Sequence, residues 1–156
     1  MTSEKTEKLN KLAKDVLILS RNTLLVNLRF LDVALSQFEL FPIEESTLLT
    51  DGKRILYNPK HILENYKTAK EIPVRDYLHM VMHCVFKHMY MDPSLNRPYW
   101  DLACDIAVEN VITELNLGSV IYPKYITSET IIRDKVDFVQ SAGSTVGSSS
   151  GMYFTR

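Results

Sequence analysis

Residues 78–90 read LHMVMHCVFKHMY, and three of the chain's four histidines, His79, His83 and His88, fall inside them. In a helix His79 and His83 lie about 40° apart on one face, one turn above the other. A zinc ion takes imidazole nitrogens at about 2.0–2.1 Å, and adjacent helical turns can present two of them together. His88 would fall about 180° from His79 if the helix continued, so it joins the same ion only if the helix ends or bends near Phe86-Lys87. The residue after His79 is Met80, a thioether with no proton chemistry. An i, i+4 pair of histidines also occurs in ordinary core helices. The clustering and an acidic helix a dozen residues on are what favour a site.

That second helix, WDLACDIAVENVITEL, carries Asp101, Asp105 and Glu109 at i, i+4 and i+8. Ala103, Ile106, Ala107, Val111, Ile112 and Leu115 make most of its remaining circumference apolar. A carboxylate on a largely buried helix needs a partner, because burying it alone is costly. Imidazole, or a histidine-bound metal, is such a partner. The plainer alternative has Asp101 favouring the helix N-terminus and Glu109 facing water, with Asp105 evenly balanced between the two readings. Imidazoles with a carboxylate suit zinc, and also iron, nickel or cobalt. Met80, Met82, Cys84, Met89 and Met91 add soft donors suited to Cu(I). Met82 and Met89, however, share the core-facing arc with Leu78, Val81, Val85 and Phe86, where methionine is ordinary packing.

These two helices need a scaffold. Residues 4–38 hold apolar positions at helical spacing (Leu9, Leu12, Val16, Leu19, Leu24, Leu28, Leu31, Leu35, Phe38), divided into two helices at the polar patch Ser20-Arg21-Asn22-Thr23. The pattern ends near Pro42. STLLTDGKRILYNP has two β-prone runs around Asp51-Gly52, a hairpin signal, and this is the only strand pair expected. Asn58-Pro59 supplies an N-cap and a first-turn proline for a helix over 59–68. The histidine helix is expected over 73–89, the acidic one over 100–115 with Gly118 as its stop. Residues 119–139 show no clear period and suit one short strand and one short helix. The expected fold class is α+β, mostly helical, with long N-terminal helices, a small β-hairpin or sheet, and the motif-bearing helix packed against the one that follows. One domain over 1–139 precedes a Ser/Gly-rich tail or linker, 140–156, which reads as the truncated end of something longer.

Bulk properties narrow the function classes. Eighteen Lys and Arg against nineteen Asp and Glu give a net charge of −1, no basic excess for nucleic acid or an anionic membrane. No apolar run reaches the roughly 18 residues of a membrane span. The charged N-terminus lacks a secretory h-region, and two cysteines outside any C-x-x-C suit a reducing cytoplasm.

The chain resembles a bacterial family, the putative metallopeptidase domain found N-terminal to a von Willebrand factor A-like domain. The resemblance covers roughly residues 20–117. It rests on LRFLDVAL, TDGKRILYNP, HMVMHCVFKH and WDLACDIAVEN, which match in order and spacing the family's P-F-L, T-D-G-x-x-x-x-x-N-P, H-E-x-x-H-x-x-x-x-H and W-x-x-A-x-D. It implies a zincin-like fold, an active-site helix beside a small sheet whose edge binds an extended peptide, and Zn2+ as cofactor. His79 and His83 match the paired ligands, His88 the third histidine, and Asp105 the acid after the tryptophan, as ligand or orienting group.

Two departures stand out. Arg29 replaces a proline at a helix junction. Met80 replaces the glutamate that serves as general base, a role contributing typically about 10²–10⁴-fold. A substitute carboxylate would have to come from Asp76, Glu109 or Asp105. The leading expectation is therefore a metal-holding but degenerate hydrolase, acting as a binding or regulatory module toward a peptide or protein partner. The alternatives are an active peptidase with a substitute base and a metal-free interaction domain.

Overall fold

The computed structural model describes residues 3–44 and 48–121, together with Arg133, Val136, Asp137, Phe154 and Thr155. Among the described residues, the main elements follow in the order α1 (Ser3–Asn27), α2 (Asp32–Ser36), β1 (Glu39–Pro42), β2 (Leu48–Thr50), β3 (Arg54–Tyr57), α3 (Pro59–Thr68), α4 (Glu71–Val85), α5 (Arg97–Glu114) and β4 (Phe154–Thr155). The class is α+β and mostly helical. Among the described residues no helix is long and apolar enough to cross a membrane.

The N-terminal polar patch does not divide α1. Ser20 Oγ donates to the Val16 carbonyl and Thr23 Oγ1 to that of Leu19, so these hydroxyls are satisfied within the helix. The break comes at Leu28, followed by a 3₁₀ turn at Arg29–Leu31. The buried stripe of α1 is Ala13, Val16, Leu17, Ser20 and Leu24, while the expected core residues Leu12 and Leu19 are more than half exposed. This stripe packs on α3 and α4.

The Asp51-Gly52 hairpin forms as its sequence predicts. Asp51 Oδ1 accepts from the amides of Lys53 and Arg54, and Gly52 sits at φ 88°, a conformation that favours glycine. Its missing side chain also matters for packing, since a Cβ there would stand 2.7 Å from Met89 Sδ. The sheet is larger than the hairpin. β1 pairs parallel to β3, from Glu39 with Arg54 to Pro42 with Tyr57, and β4 adds antiparallel to β2, giving the order β1-β3-β2-β4. Pro42 is tolerated because β1 is an edge strand.

Asn58 caps α3, its side-chain oxygen accepting from the amides of Lys60 and His61 with Pro59 in the first turn. Asn65 of α3 then donates to Asp76 Oδ2 on α4 at 3.3 Å, and Tyr77 Oη donates to the Leu35 carbonyl at 2.9 Å. Burial pushes the Tyr77 phenol up to about 12. α4 is thus enclosed: every residue from Pro73 to His83 is buried. The tail boundary at 139/140 and most of 119–139 lie outside the described residues; Gly118–Val120 form a 3₁₀ turn.

Candidate metal centre

α4 sends Arg75, His79 and His83 from one face at i, i+4 and i+8. α5 answers with Glu109 and Asp105 in reverse order. The two rows meet rung by rung. Arg75 pairs with Glu109 through one guanidinium nitrogen and Oε2. His79 Nδ1 lies 2.8 Å from Glu109 Oε1, and His79 Nε2 lies 3.1 Å from Asp105 Oδ1. His83 Nε2 lies 3.0 Å from the same oxygen and 2.9 Å from His79 Nε2. The cluster is sealed: His79 and Glu109 are 0 % exposed, His83 1 % and Arg75 2 %, with Asp105 at 9 %.

α5 therefore turns its face opposite to the apolar-in expectation. Cys104, Asp105, Val108, Glu109 and Ile112 are buried, while Ala103, Ile106 and Ala107 face out. The reading that sends Glu109 to water is overturned, because His79 and Arg75 take up its carboxylate. Asp101, the third member of the stripe, is only half-buried and receives Arg97 Nε on both oxygens at 2.8 Å. Burial raises the Asp101 carboxyl, against the pull of Arg97. Arg75 is the residue that sequence reasoning missed. Its signal was present: it stands four residues before His79 on the histidine face, a cation opposite the end of an acidic stripe.

The hydrogen-bond partners fix the ring chemistry. An ionised carboxylate only accepts, so His79 Nδ1 donates to Glu109 and leaves Nε2 with a lone pair when the ring is neutral. His79 Nε2, His83 Nε2 and Asp105 Oδ1 converge there with separations of 2.9–3.1 Å. Tetrahedral coordination at about 2.0–2.1 Å places neighbouring donors about 3.3 Å apart. The donor set fits a divalent transition metal, and among the described residues these three form the group that could hold one. The thiols lie outside this group: Cys84 Sγ meets Thr50 Oγ1, and burial pushes Cys84 up and Cys104 up to about 11.

His88 arrives by a different route. α4 stops at Val85, four residues short of the expected end, and Lys87 takes φ 56°. The Lys87 amide donates to the Cys84 carbonyl and the His88 amide to that of His83, the two bonds of a Schellman termination. The chain folds back and His88 Nδ1 comes to 3.1 Å from His83 Nδ1. Trp100 Nε1 of α5 donates to the His88 carbonyl. Burial and the neighbouring His83 hold His88 below the usual imidazole range, with Asp105 pulling the other way. A left-handed lysine carries a steric penalty that glycine lacks. Lys87→Gly is accordingly expected to raise stability by about 1 kcal/mol, read as a higher midpoint in urea; a lower midpoint would show that the lysine side chain has a stabilising contact here.

The residue after His79 has no view of water. Met80 is 0 % exposed and belongs to the main hydrophobic core with Leu78, Val81 and Ile112. Of the three candidate substitute bases, Asp76 accepts from Asn65, Glu109 is held by Arg75 and His79, and Asp105 lies against both His79 and His83. Cys84 Sγ meets Thr50 Oγ1 at 3.4 Å, which ties the hairpin to the end of α4. The α5 stop also differs from expectation. Asn116, at φ 49°, takes the left-handed position, so the helix ends before Gly118.

One family model, described as a putative metallopeptidase domain, matches residues 8–142. No curated protein and no solved structure matches the chain.

Proposed function

The chain belongs to the family of putative metallopeptidase domains, and we propose that within it this chain is a metal-holding domain without peptidase turnover. The ion is proposed to be zinc, held by His79 Nε2, His83 Nε2 and Asp105 Oδ1. The observation that carries the reading is the convergence of those three atoms within 3.1 Å of one another. When bound, such an ion supplies Lewis acidity and a rigid clamp between two helices. The chain's own residues do the rest. Glu109 orients His79, Arg75 balances Glu109, and Asp105 bridges both rings.

The absence of turnover rests on two features. Met80, at the place where the family pattern has its base, is enclosed in core, and His79 and His83 are sealed from solvent, although two histidines and an acid are by count the ligand set of an open catalytic site. Asp76 and Glu109 are committed to other partners, which argues against a substitute base. The domain would then serve as a binding or regulatory module toward a peptide or protein partner, including a von Willebrand factor A-like domain in a longer chain.

Charge balance favours one competing reading. With His79 or His83 protonated, two cations face Glu109 and Asp105, and the cluster is neutral without metal. Elemental analysis of untagged protein separates the two. One zinc per chain is expected, lost in His79→Ala/His83→Ala, with no cleavage across a peptide panel. An ion present at 100 times its Kd stabilises by about 2.7 kcal/mol, so chelator should lower Tm in wild type and leave the double variant unmoved. Metal-replete protein with no bound ion and no chelator response would leave the ion-pair reading standing.

A further inference from the structure

Both rings of the cluster are held from behind in the same way. Each presents Nε2 to Asp105 Oδ1, and each has Nδ1 occupied by a second side chain. For His79 that side chain is Glu109, at 2.8 Å; for His83 it is His88, at 3.1 Å. The two nitrogens of an imidazole point away from each other. A group seated on His83 Nδ1 therefore stands across the ring from the point where His83 Nε2, His79 Nε2 and Asp105 Oδ1 meet.

We propose that His88 is a positioning residue for His83 and not a ligand of the ion: it accepts the His83 Nδ1–H and so fixes the tautomer in which Nε2 offers its lone pair to the cluster. The inference rests on the metal reading above and deepens it. Two imidazole nitrogens 3.1 Å apart share one hydrogen, so one donates and the other accepts. If His88 were the donor, a neutral His83 would carry its proton on Nε2 and could not ligate. A metal-holding His83 therefore requires His88 to accept.

The backbone explains why the histidine stands five residues on. In a Schellman termination the side chain two places past the helix cap folds back over the residue three places before the cap, a contact that is often hydrophobic. Here those positions are His88 and His83, and the contact is an imidazole pair. Three further contacts hold His88 in place. Trp100 donates to its carbonyl at 3.0 Å, the Phe86 ring lies 5.5 Å from its own centroid to centroid, and Met89, the next residue, packs against Gly52 of the hairpin. The third histidine of the motif is built into the fold as a support for the second, as partners behind a ligating imidazole commonly are.

The test compares His88→Asn with His88→Ala. An asparagine side-chain oxygen can take the place of Nδ1 as an acceptor but is a poor ligand for a borderline metal. In zinc-loaded protein, imidazole ¹⁵N spectra should show a His83 Nδ1–H protected from exchange in wild type and in His88→Asn, and an exchange-broadened one in His88→Ala. With cobalt(II) as probe, His88→Ala should lose about 10–100-fold in affinity, with most of it regained in His88→Asn. The intensity of the cobalt visible bands, which reports the ligand set, should be the same in all three. If Asn and Ala lose affinity equally and the bands change, His88 is a ligand and the proposal fails. A His83 Nδ1–H equally protected in His88→Ala also overturns it. If wild type binds neither zinc nor cobalt, the metal reading fails and the proposal with it; metal bound equally well by all three proteins leaves that reading standing and overturns the proposal alone.

Discussion

Glu109→Ala is expected to cost about 3–5 kcal/mol of folding stability, because it removes one partner of a buried ion pair. Arg75 and Glu109 are 2 % and 0 % exposed. Removing the carboxylate takes from the buried guanidinium the Glu109 oxygen it pairs with and from His79 Nδ1 its 2.8 Å contact. A typical domain has only about 5–15 kcal/mol in total, so the variant should melt far below wild type. The surface pair Lys8–Glu4, more than three-quarters exposed on both sides, serves as the control: Glu4→Ala should leave the midpoint where it was, since water already solvates both charges. The sharper test is Arg75→Met/Glu109→Leu. Replacing both partners with apolar groups of similar volume removes the desolvation cost together with the attraction, and such swaps are often neutral or stabilising. Urea unfolding should therefore place the double variant well above Glu109→Ala. Its metal affinity should stay low, because His79 has still lost the group that orients it. A Glu109→Ala midpoint within error of wild type would mean that Arg75 reaches water or another anion.

Local chemistry was legible from the chain, and pairings between distant segments were not. Asn58-Pro59, Asp51-Gly52 and the i, i+4 histidines depend on neighbours within five residues, and each forms as its spacing predicts. β1 was missed because its partner β3 lies fifteen residues on, and Pro42 reads as a breaker until the strand is known to be an edge. The face of α5 was misjudged for a related reason. Counted alone, its apolar residues outnumber its acids and claim the interior. Only the row Arg75, His79, His83 on another helix reveals that the acids go inward. Lys87 hid the helix end, because the left-handed position that stops α4 is most often glycine. That same stop is what turns His88 from a residue on the far side of a wheel into a neighbour of His83.

Met80→Glu would write the family's H-E-x-x-H into the chain, and the simplest view of a degenerate peptidase expects activity to return. The packing leads to a different expected result. Met80 is fully enclosed in the main core, so a glutamate there meets apolar side chains, and burial holds its carboxyl protonated. Buried glutamates can reach pKa values of about 8–9, against about 4.3 in an unfolded chain. A carboxyl with a raised folded-state pKa keeps its proton when the unfolded chain has lost it, so stability falls as pH rises between those two values. The slope is about 1.4 kcal/mol per pH unit, which amounts to about 3–4 kcal/mol between pH 4.3 and 7. Met80→Gln carries the same polar bulk without the charge, so any cost it shows should not vary with pH. Met80→Leu keeps volume and polarity and should cost less than about 1.5 kcal/mol. Unfolding midpoints for the three variants from pH 4 to 8 isolate the ionisation term, and a peptide panel at pH 8 reads turnover. The expected outcome is a glutamate variant whose stability deficit widens with pH and which cleaves nothing. Such a carboxyl, protonated and dry, is unfit to act as a base even beside a loaded site. If Met80→Glu instead keeps wild-type stability at pH 8 and hydrolyses peptide, then position 80 opens onto the metal site, the chain lacks only its base, and the binding-module reading is wrong.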